Sequence, residues 1–163
     1  MQKKWLLSEP TKKTLTHINK YPGIRYRQLL QLSGLANGVL SFHLKKLKRL
    51  KIIKAKKLGY TTIRYYPPAV KTIESDILDH LLDSTRRKII LFLLEHNNCR
   101  FKEIVHCIDR APSTTSYQLQ RLEHAGIISN PRVNKNNQCY RLKNKSRIVK
   151  IVSKYKIKVQ SKL

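Results

Sequence analysis

The sequence predicts a mainly helical α+β protein in which one small unit is used twice, each time as three short helices followed by a β-hairpin. Three observations carry that expectation. The chain matches itself when displaced by 75 positions. Leu and Ile recur at helical spacing inside the matching stretches, and each stretch ends in β-branched and aromatic residues around a turn.

The self-match is ungapped from about Ile18 to Tyr65. Arg25 falls on Arg100, Tyr26 on Phe101, Leu29 on Ile104, Ala36 on Ala111 and Ser41 on Ser116. Leu44 falls on Leu119, Leu47 on Leu122, Ile52 and Ile53 on Ile127 and Ile128, and Tyr65 on Tyr140. Chance alignment of Leu-rich segments would keep the apolar positions but not the polar and aromatic ones.

In the first half, residues 11–20 read as a helix broken by Tyr21, Pro22 and Gly23. A second helix covers 26–32 and stops at Ser33 and Gly34, because glycine takes the left-handed conformation of a helix stop. A third covers 37–50, with Leu40, Leu44 and Leu47 on one face. The hairpin is 52–57 and 61–66 around Leu58, Gly59 and Tyr60, and Pro67 and Pro68 end it. In the second half, Asp83 or Ser84 caps a helix reaching about His96, and Asn97 and Asn98 break the chain. Residues 101–108 form the next helix. Pro112 opens the third, where its missing N–H costs nothing, and Gly126 closes it. The second hairpin is 127–132 and 138–142.

The expected organisation is therefore a first domain over 1–70, a connecting segment over 71–82, a second domain over 83–143 and a basic amphipathic helix over 144–163. In that last segment Ile148, Ile151, Val152, Tyr155 and Val159 lie at helical spacing. Its apolar face can pack on its own domain or pair with a second copy as a homodimer, or the segment can lie along nucleic acid as a basic tail.

Charge narrows the partners. Thirty-five Lys and Arg stand against 9 Asp and Glu, a net charge of +26. Such an excess opposes compaction, and a polyanionic partner is the simplest reason to keep it. From Pro10 to Ile73 there are 15 basic residues and no acid. Glu74, Asp76, Asp79 and Asp83 then fall close together, and 11 basic residues follow Glu123 with no further acid. Basic, acidic, basic suggests two basic modules around a neutralised junction.

Other classes are disfavoured. No apolar run approaches a membrane span, and the first ten residues are too short and polar for a signal peptide. Cys99, Cys107 and Cys139 are odd in number and lack CxxC spacing, so they read as reduced thiols in a cytoplasmic, nucleoid-associated protein. His96, Cys99, His106 and Cys107 are near each other, but zinc needs ligands converging on a tetrahedron. Cys99 and Cys107 fall where buried packing is expected, and no metal or other cofactor is expected. There is no phosphate-cradling glycine loop and no nucleophile–base arrangement, so no enzymatic activity is expected.

The order helix, helix, turn, helix, hairpin is that of the winged helix-turn-helix. The segments LSGLANGVLSFHLKKLKRLKII and IDRAPSTTSYQLQRLEHAGII resemble the helix-turn-helix of ArsR/MarR-type transcription regulators. DSTRRKIILFLLEHNN looks like the first helix of the ArsR type, and YPGIRYRQLLQLSGLANGVLSFHLKKL is similar to archaeal winged-helix regulators. The resemblance implies a double-stranded DNA partner, with the third helix of each half in the major groove and the hairpin wing on the backbone or minor groove. Ala36 and Ala111 depart from it where a capping serine is usual, and Lys51 stands where the second half has Gly126. The paired cysteines of metal-sensing members are missing, so metal sensing is not implied.

A recognition helix uses one face for its own core and the other for the groove. The first would present Asn37, Gly38, Ser41, Phe42, Lys45 and Lys46. Asn37 can pair with adenine, and Phe42 can touch a thymine methyl unless it is a core aromatic; Lys45 and Lys46 suit phosphates. The second would present Ser113, Thr114, Ser116, Tyr117, Gln120 and Arg121, with Gln120 suited to adenine and Arg121 to guanine or phosphate. This second face is the less charged. Lys54, Lys56, Lys57, Tyr60 and Arg64 are expected near the tip of the first wing, and Arg132, Lys135 and Asn136 on the second. The leading expectation is a sequence-specific regulator. An architectural DNA-coating protein is the first alternative, and an RNA-binding or protein-interaction module the second.

Overall fold

A computed structural model describes residues 7–58, 62–130 and 139–157. The chain divides between Ser75 and Asp76 into two compact units. Among the described residues the first unit runs α1 (Glu9–Lys20), β1 (Ile24–Arg25), α2 (Tyr26–Ser33), α3 (Asn37–Arg49), β2 (Lys54–Leu58) and β3 (Thr62–Tyr66). Helix α4 (Thr72–Leu81) spans the division. The second unit continues with α5 (Ser84–Glu95), β4 (Cys99–Arg100), α6 (Phe101–Ile108), α7 (Pro112–His124), β5 (Ile128–Ser129), β6 (Cys139–Leu142) and α8 (Lys145–Lys154). The expected α+β class, helices with small antiparallel three-stranded sheets, is what forms.

The displacement seen in the sequence is structural. Helices α1, α2 and α3 map onto α5, α6 and α7 at 75 residues, end for end. The sheets repeat too, in orders β1-β3-β2 and β4-β6-β5. Ile24 pairs with Tyr65 as Cys99 pairs with Tyr140, and Lys54 with Tyr66 as Ser129 with Arg141. Side chains follow the backbone into the cores. Leu15, Ile18, Leu29, Leu44, Leu47, Ile53 and Tyr65 are buried in the first core. Ile90, Leu93, Ile104, Leu119, Leu122, Ile128 and Tyr140 occupy the equivalent places in the second. Burial raises the pKa of both tyrosines, with Tyr26 adding at Tyr65 and Glu123 at Tyr140.

At one core position an apolar side chain gives way to an unsatisfied hydroxyl. Leu40 is fully buried in α3, and its equivalent in α7 is Thr115, also fully buried, whose Oγ1 has no hydrogen-bond partner among the described residues. An unsatisfied buried hydroxyl costs about 1–3 kcal/mol. Thr115→Val keeps the shape and removes the hydroxyl. It is expected to stabilise the protein by about 1 kcal/mol, read as a higher urea midpoint at unchanged slope; a lower midpoint would mean that the hydroxyl is satisfied.

Helix ends explain the boundaries. Helix α1 starts at Glu9, earlier than expected, because Pro10 is tolerated in the first turn. Asp83 caps α5 by accepting from the Arg86 N–H at 3.1 Å and pairs with its guanidinium at 3.2 Å. Helices α3, α7 and α8 all stop in the same way. The amide of the second residue beyond the cap reaches back to the helix, as Ile52 N–H to Leu47 O, Ile127 N–H to Leu122 O and Ile157 N–H to Val152 O, each at 3.0 Å. That closure needs a left-handed residue in front of it, supplied by Lys51 at φ 55°, Gly126 at φ 67° and Lys156 at φ 47°. It also ends α8 at Lys154, short of the 144–163 segment expected; Val159 lies outside the described residues.

Lys51 therefore carries a left-handed penalty that Gly126 avoids. A Cβ at Gly126 would meet nothing within 4 Å, so its glycine answers to backbone conformation and not to space. Lys51→Gly is expected to stabilise by about 1 kcal/mol and Gly126→Ala to destabilise by about the same. Urea midpoints of the two variants should move in opposite directions; movement in the same direction refutes the account.

The C-terminal helix uses its apolar face at home. Ile148 and Ile151 are buried in the second unit's core, with Val152, Tyr155 and Ile157 packed against it. Of the alternatives open for that face, packing on its own domain is the one that forms.

Candidate nucleic-acid interface

Helix α3 packs against α1 with one side, which leaves the opposite side to solvent. Leu40, His43, Leu44 and Leu47 are the buried side. His43 is a packing residue, its Nδ1 in a buried 2.8 Å hydrogen bond with the Thr11 hydroxyl. The outward side carries Asn37, Gly38, Phe42 and Lys45 exposed, with Ser41 and Lys46 half-buried beside them. Phe42 is 63% exposed, so it is not a core aromatic. Lys48 and Arg49, overlooked in the sequence, are exposed and extend the basic surface through the last turn, where cations also favour the helix dipole.

The start of α3 has no side-chain cap, as Ala36 implied. Tyr26 on α2 does not replace that cap, whose open groups are N–H donors, but it ties the start of α3 to α2. Its hydroxyl donates to the Asn37 carbonyl at 2.9 Å and also meets Asn37 Oδ1. This holds Asn37 in place and uses one of the two lone pairs of the oxygen with which it would receive an adenine amino group. Phe101 and Pro112 are the equivalents in the second unit, so there the hydroxyl clamp is absent and proline's restricted φ pre-sets the first turn. Tyr26 was missed because its role depends on a neighbour eleven residues on.

Helix α7 buries Thr115, Leu119 and Leu122 and exposes Ser113, Thr114, Tyr117, Gln120 and Arg121, with Ser116 half-buried. The Arg121 guanidinium lies 5.8 Å from the Tyr117 ring centre, and its Nη1 donates to the Tyr117 hydroxyl at 3.4 Å.

The first wing corrects two expectations. Arg64 is only 3% exposed, and its Nη1 donates to the Gly23 carbonyl at 2.7 Å. The reason is topological: β3 is the central strand, so Arg64 has β1 on one side and β2 on the other instead of lying at the tip. Lys54 pairs with Tyr66 at the base of the hairpin, and its Nζ donates to the Val70 carbonyl at 3.0 Å. Lys57 is exposed opposite Ile63, nearer the tip, while Lys56 is half-buried. Tyr60, Arg132, Lys135 and Asn136 lie outside the described residues.

The three cysteines are free thiols. Cys99 is buried, and burial first, then Glu103, raises its pKa, which keeps the thiol protonated and a poor ligand or nucleophile at neutral pH. Cys107, expected to be buried, is exposed: Ile104 and Ile108 alone supply the buried stripe of the short helix α6. Among the described residues no His, Cys, Asp and Glu group could hold a metal ion, and no helix is long and apolar enough to cross a membrane.

Three helices with an outward third helix and a β-hairpin define a winged helix-turn-helix fold. Residues 83–130, within the second unit, match the family described as bacterial regulatory protein, arsR family. The chain is 28% identical over 127 residues to the uncharacterised HTH-type transcriptional regulator MJ1398 of Methanocaldococcus jannaschii. That match covers 78% of this chain but only 32% of the relative, so the chain spans about a third of that protein's length. Among solved structures, the transcriptional repressor BigR from Xylella fastidiosa superposes with a TM-score of 0.45 at 25% identity, over 51% of this chain and 83% of that one. A conserved hypothetical protein from Chlorobium tepidum gives 0.28 at 14% identity, over 91% and 96%.

Proposed function

We propose that this protein is a transcription regulator that binds double-stranded DNA and catalyses no reaction, with two winged helix-turn-helix domains in tandem over 1–70 and 83–143. Helices α3 and α7 are its recognition helices. The observation that carries the reading is the two-sidedness of α3. One side is sealed into a core, and the other exposes Phe42, Lys45, Lys48 and Arg49 on a chain stretch that holds no acid from Pro10 to Ile73. Cations there suit phosphates, and an exposed aromatic on a helix that fits the major groove suits base edges. The arsR-type match over 83–130 supports the same role for α7.

The test is selection from a random-sequence duplex library at near-physiological salt, with the bound fraction sequenced. Enrichment of a short motif supports a sequence-specific regulator. Tight, salt-sensitive binding without enrichment would instead favour the second reading, an architectural protein, which the acid-free first half also suits.

A further inference from the structure

We infer that the two units divide the work on DNA: α3 anchors the backbone, and α7 reads bases, with Tyr117 holding Arg121 as a guanine reader. This rests on the reading of the chain as a sequence-specific DNA-binding protein. Because the units superimpose in sequence at 75 residues, the two outward helices can be compared position by position. At four positions α3 has Lys45, Lys46, Lys48 and Arg49, all cations. At the same four α7 has Gln120, Arg121, Glu123 and His124. One surface carries a block of positive charge; the other carries one cation, one anion, an amide and an imidazole.

The difference extends to hydrogen-bonding capacity. Gly38 and Val39 become Ser113 and Thr114, and Phe42 becomes Tyr117. Ammonium groups are point charges that hold phosphates without telling one sequence from another, whereas amides, hydroxyls and the guanidinium fork carry directional donors. A block of lysine is suited to position, and the α7 face is suited to discriminate.

Arg121 is the focus of that face. Its guanidinium sits 5.8 Å from the Tyr117 ring centre and donates to the Tyr117 hydroxyl at 3.4 Å, and both side chains are exposed. A fork oriented before binding loses less freedom when it docks, and its paired donors match the O6 and N7 acceptors of guanine. Phe42 and Lys46, the equivalents in α3, have neither the hydroxyl nor the fork.

The test uses the full chain as wild type, Arg121→Lys, Tyr117→Phe and the double variant Lys45→Gln/Lys48→Gln. Each is taken through the random-duplex selection and through salt titration on a scrambled-sequence duplex, with circular dichroism to establish folding. The wild type should enrich a motif with an invariant G·C pair. Arg121→Lys keeps the charge and should bind the scrambled duplex within about twofold of wild type, yet lose roughly ten- to a hundred-fold of the preference at that pair. Tyr117→Phe should weaken the same position by less. The double lysine variant should keep the motif and flatten the salt dependence by about two in log–log slope. A motif that survives Arg121→Lys intact, or one that changes in the lysine variant while the slope holds, overturns the division of work and leaves the DNA-binding reading standing. A wild type that enriches no motif overturns both.

Discussion

Replacing Lys45, Lys46, Lys48 and Arg49 together by Gln is expected to weaken binding to every duplex, whatever its sequence, by on the order of a hundred- to a thousand-fold near physiological salt. Each side chain that neutralises a phosphate releases counterions and contributes about 0.9 to the log–log salt slope, so the slope should fall by about three to four. The effect is large because the four cations lie on one helix, with no acid between Pro10 and Ile73 to offset them. The helix itself should survive, since Gln is close to Lys and Arg in helix propensity. Loss of cations from the last turn removes a favourable dipole interaction of no more than about 1 kcal/mol each, screened by salt. Fluorescence anisotropy on a labelled duplex across a salt series, with thermal denaturation alongside, measures both. An unchanged slope in a folded variant would show that α3 does not lie on the backbone.

The second large effect is on stability. Leu47→Ala should cost about 3–4 kcal/mol, and Leu122→Ala about as much, read from denaturant midpoints. Both leucines are fully buried, and both sit where the outward helix meets its core and where the helix-ending amide returns to the chain. The penalty combines lost transfer free energy with the cavity left behind, and a small unit has few other buried side chains with which to refill it. Against a usual domain stability of about 5–15 kcal/mol, that is a substantial fraction. A loss below about 1 kcal/mol at Leu47 would mean that this face of α3 is not sealed in the core.

Much of this molecule was legible before the structure. The displacement by 75 foretold the equivalence of α1, α2 and α3 with α5, α6 and α7, because local apolar spacing and repeated stop signals act over a few residues and both are written in the chain. The leucine spacing correctly separated the buried from the open side of α3, and with it the exposure of Phe42 and Lys45. The missing caps at Ala36 and Ala111 were legible for the same reason.

What the sequence could not specify depended on strand order and on contacts between elements. Arg64 reads as a wing cation until β1 adds to the free side of β3 and makes it central, which buries the guanidinium against the Gly23 carbonyl. Lys54 reads as a tip residue until the register places it opposite Tyr66 at the base. The clamp of Tyr26 on Asn37, the stacking of Arg121 on Tyr117 and the enclosure of Ile148 and Ile151 in the second core belong to the folded chain. By itself, the sequence determined which segments are helices, which faces are apolar, where charge accumulates and that the pattern of three helices recurs at 75 residues. The tertiary structure decided which polar groups remain free to meet a partner. Helix and strand follow from short-range periodicity, while the exposure of a side chain is set by whatever the rest of the chain brings against it.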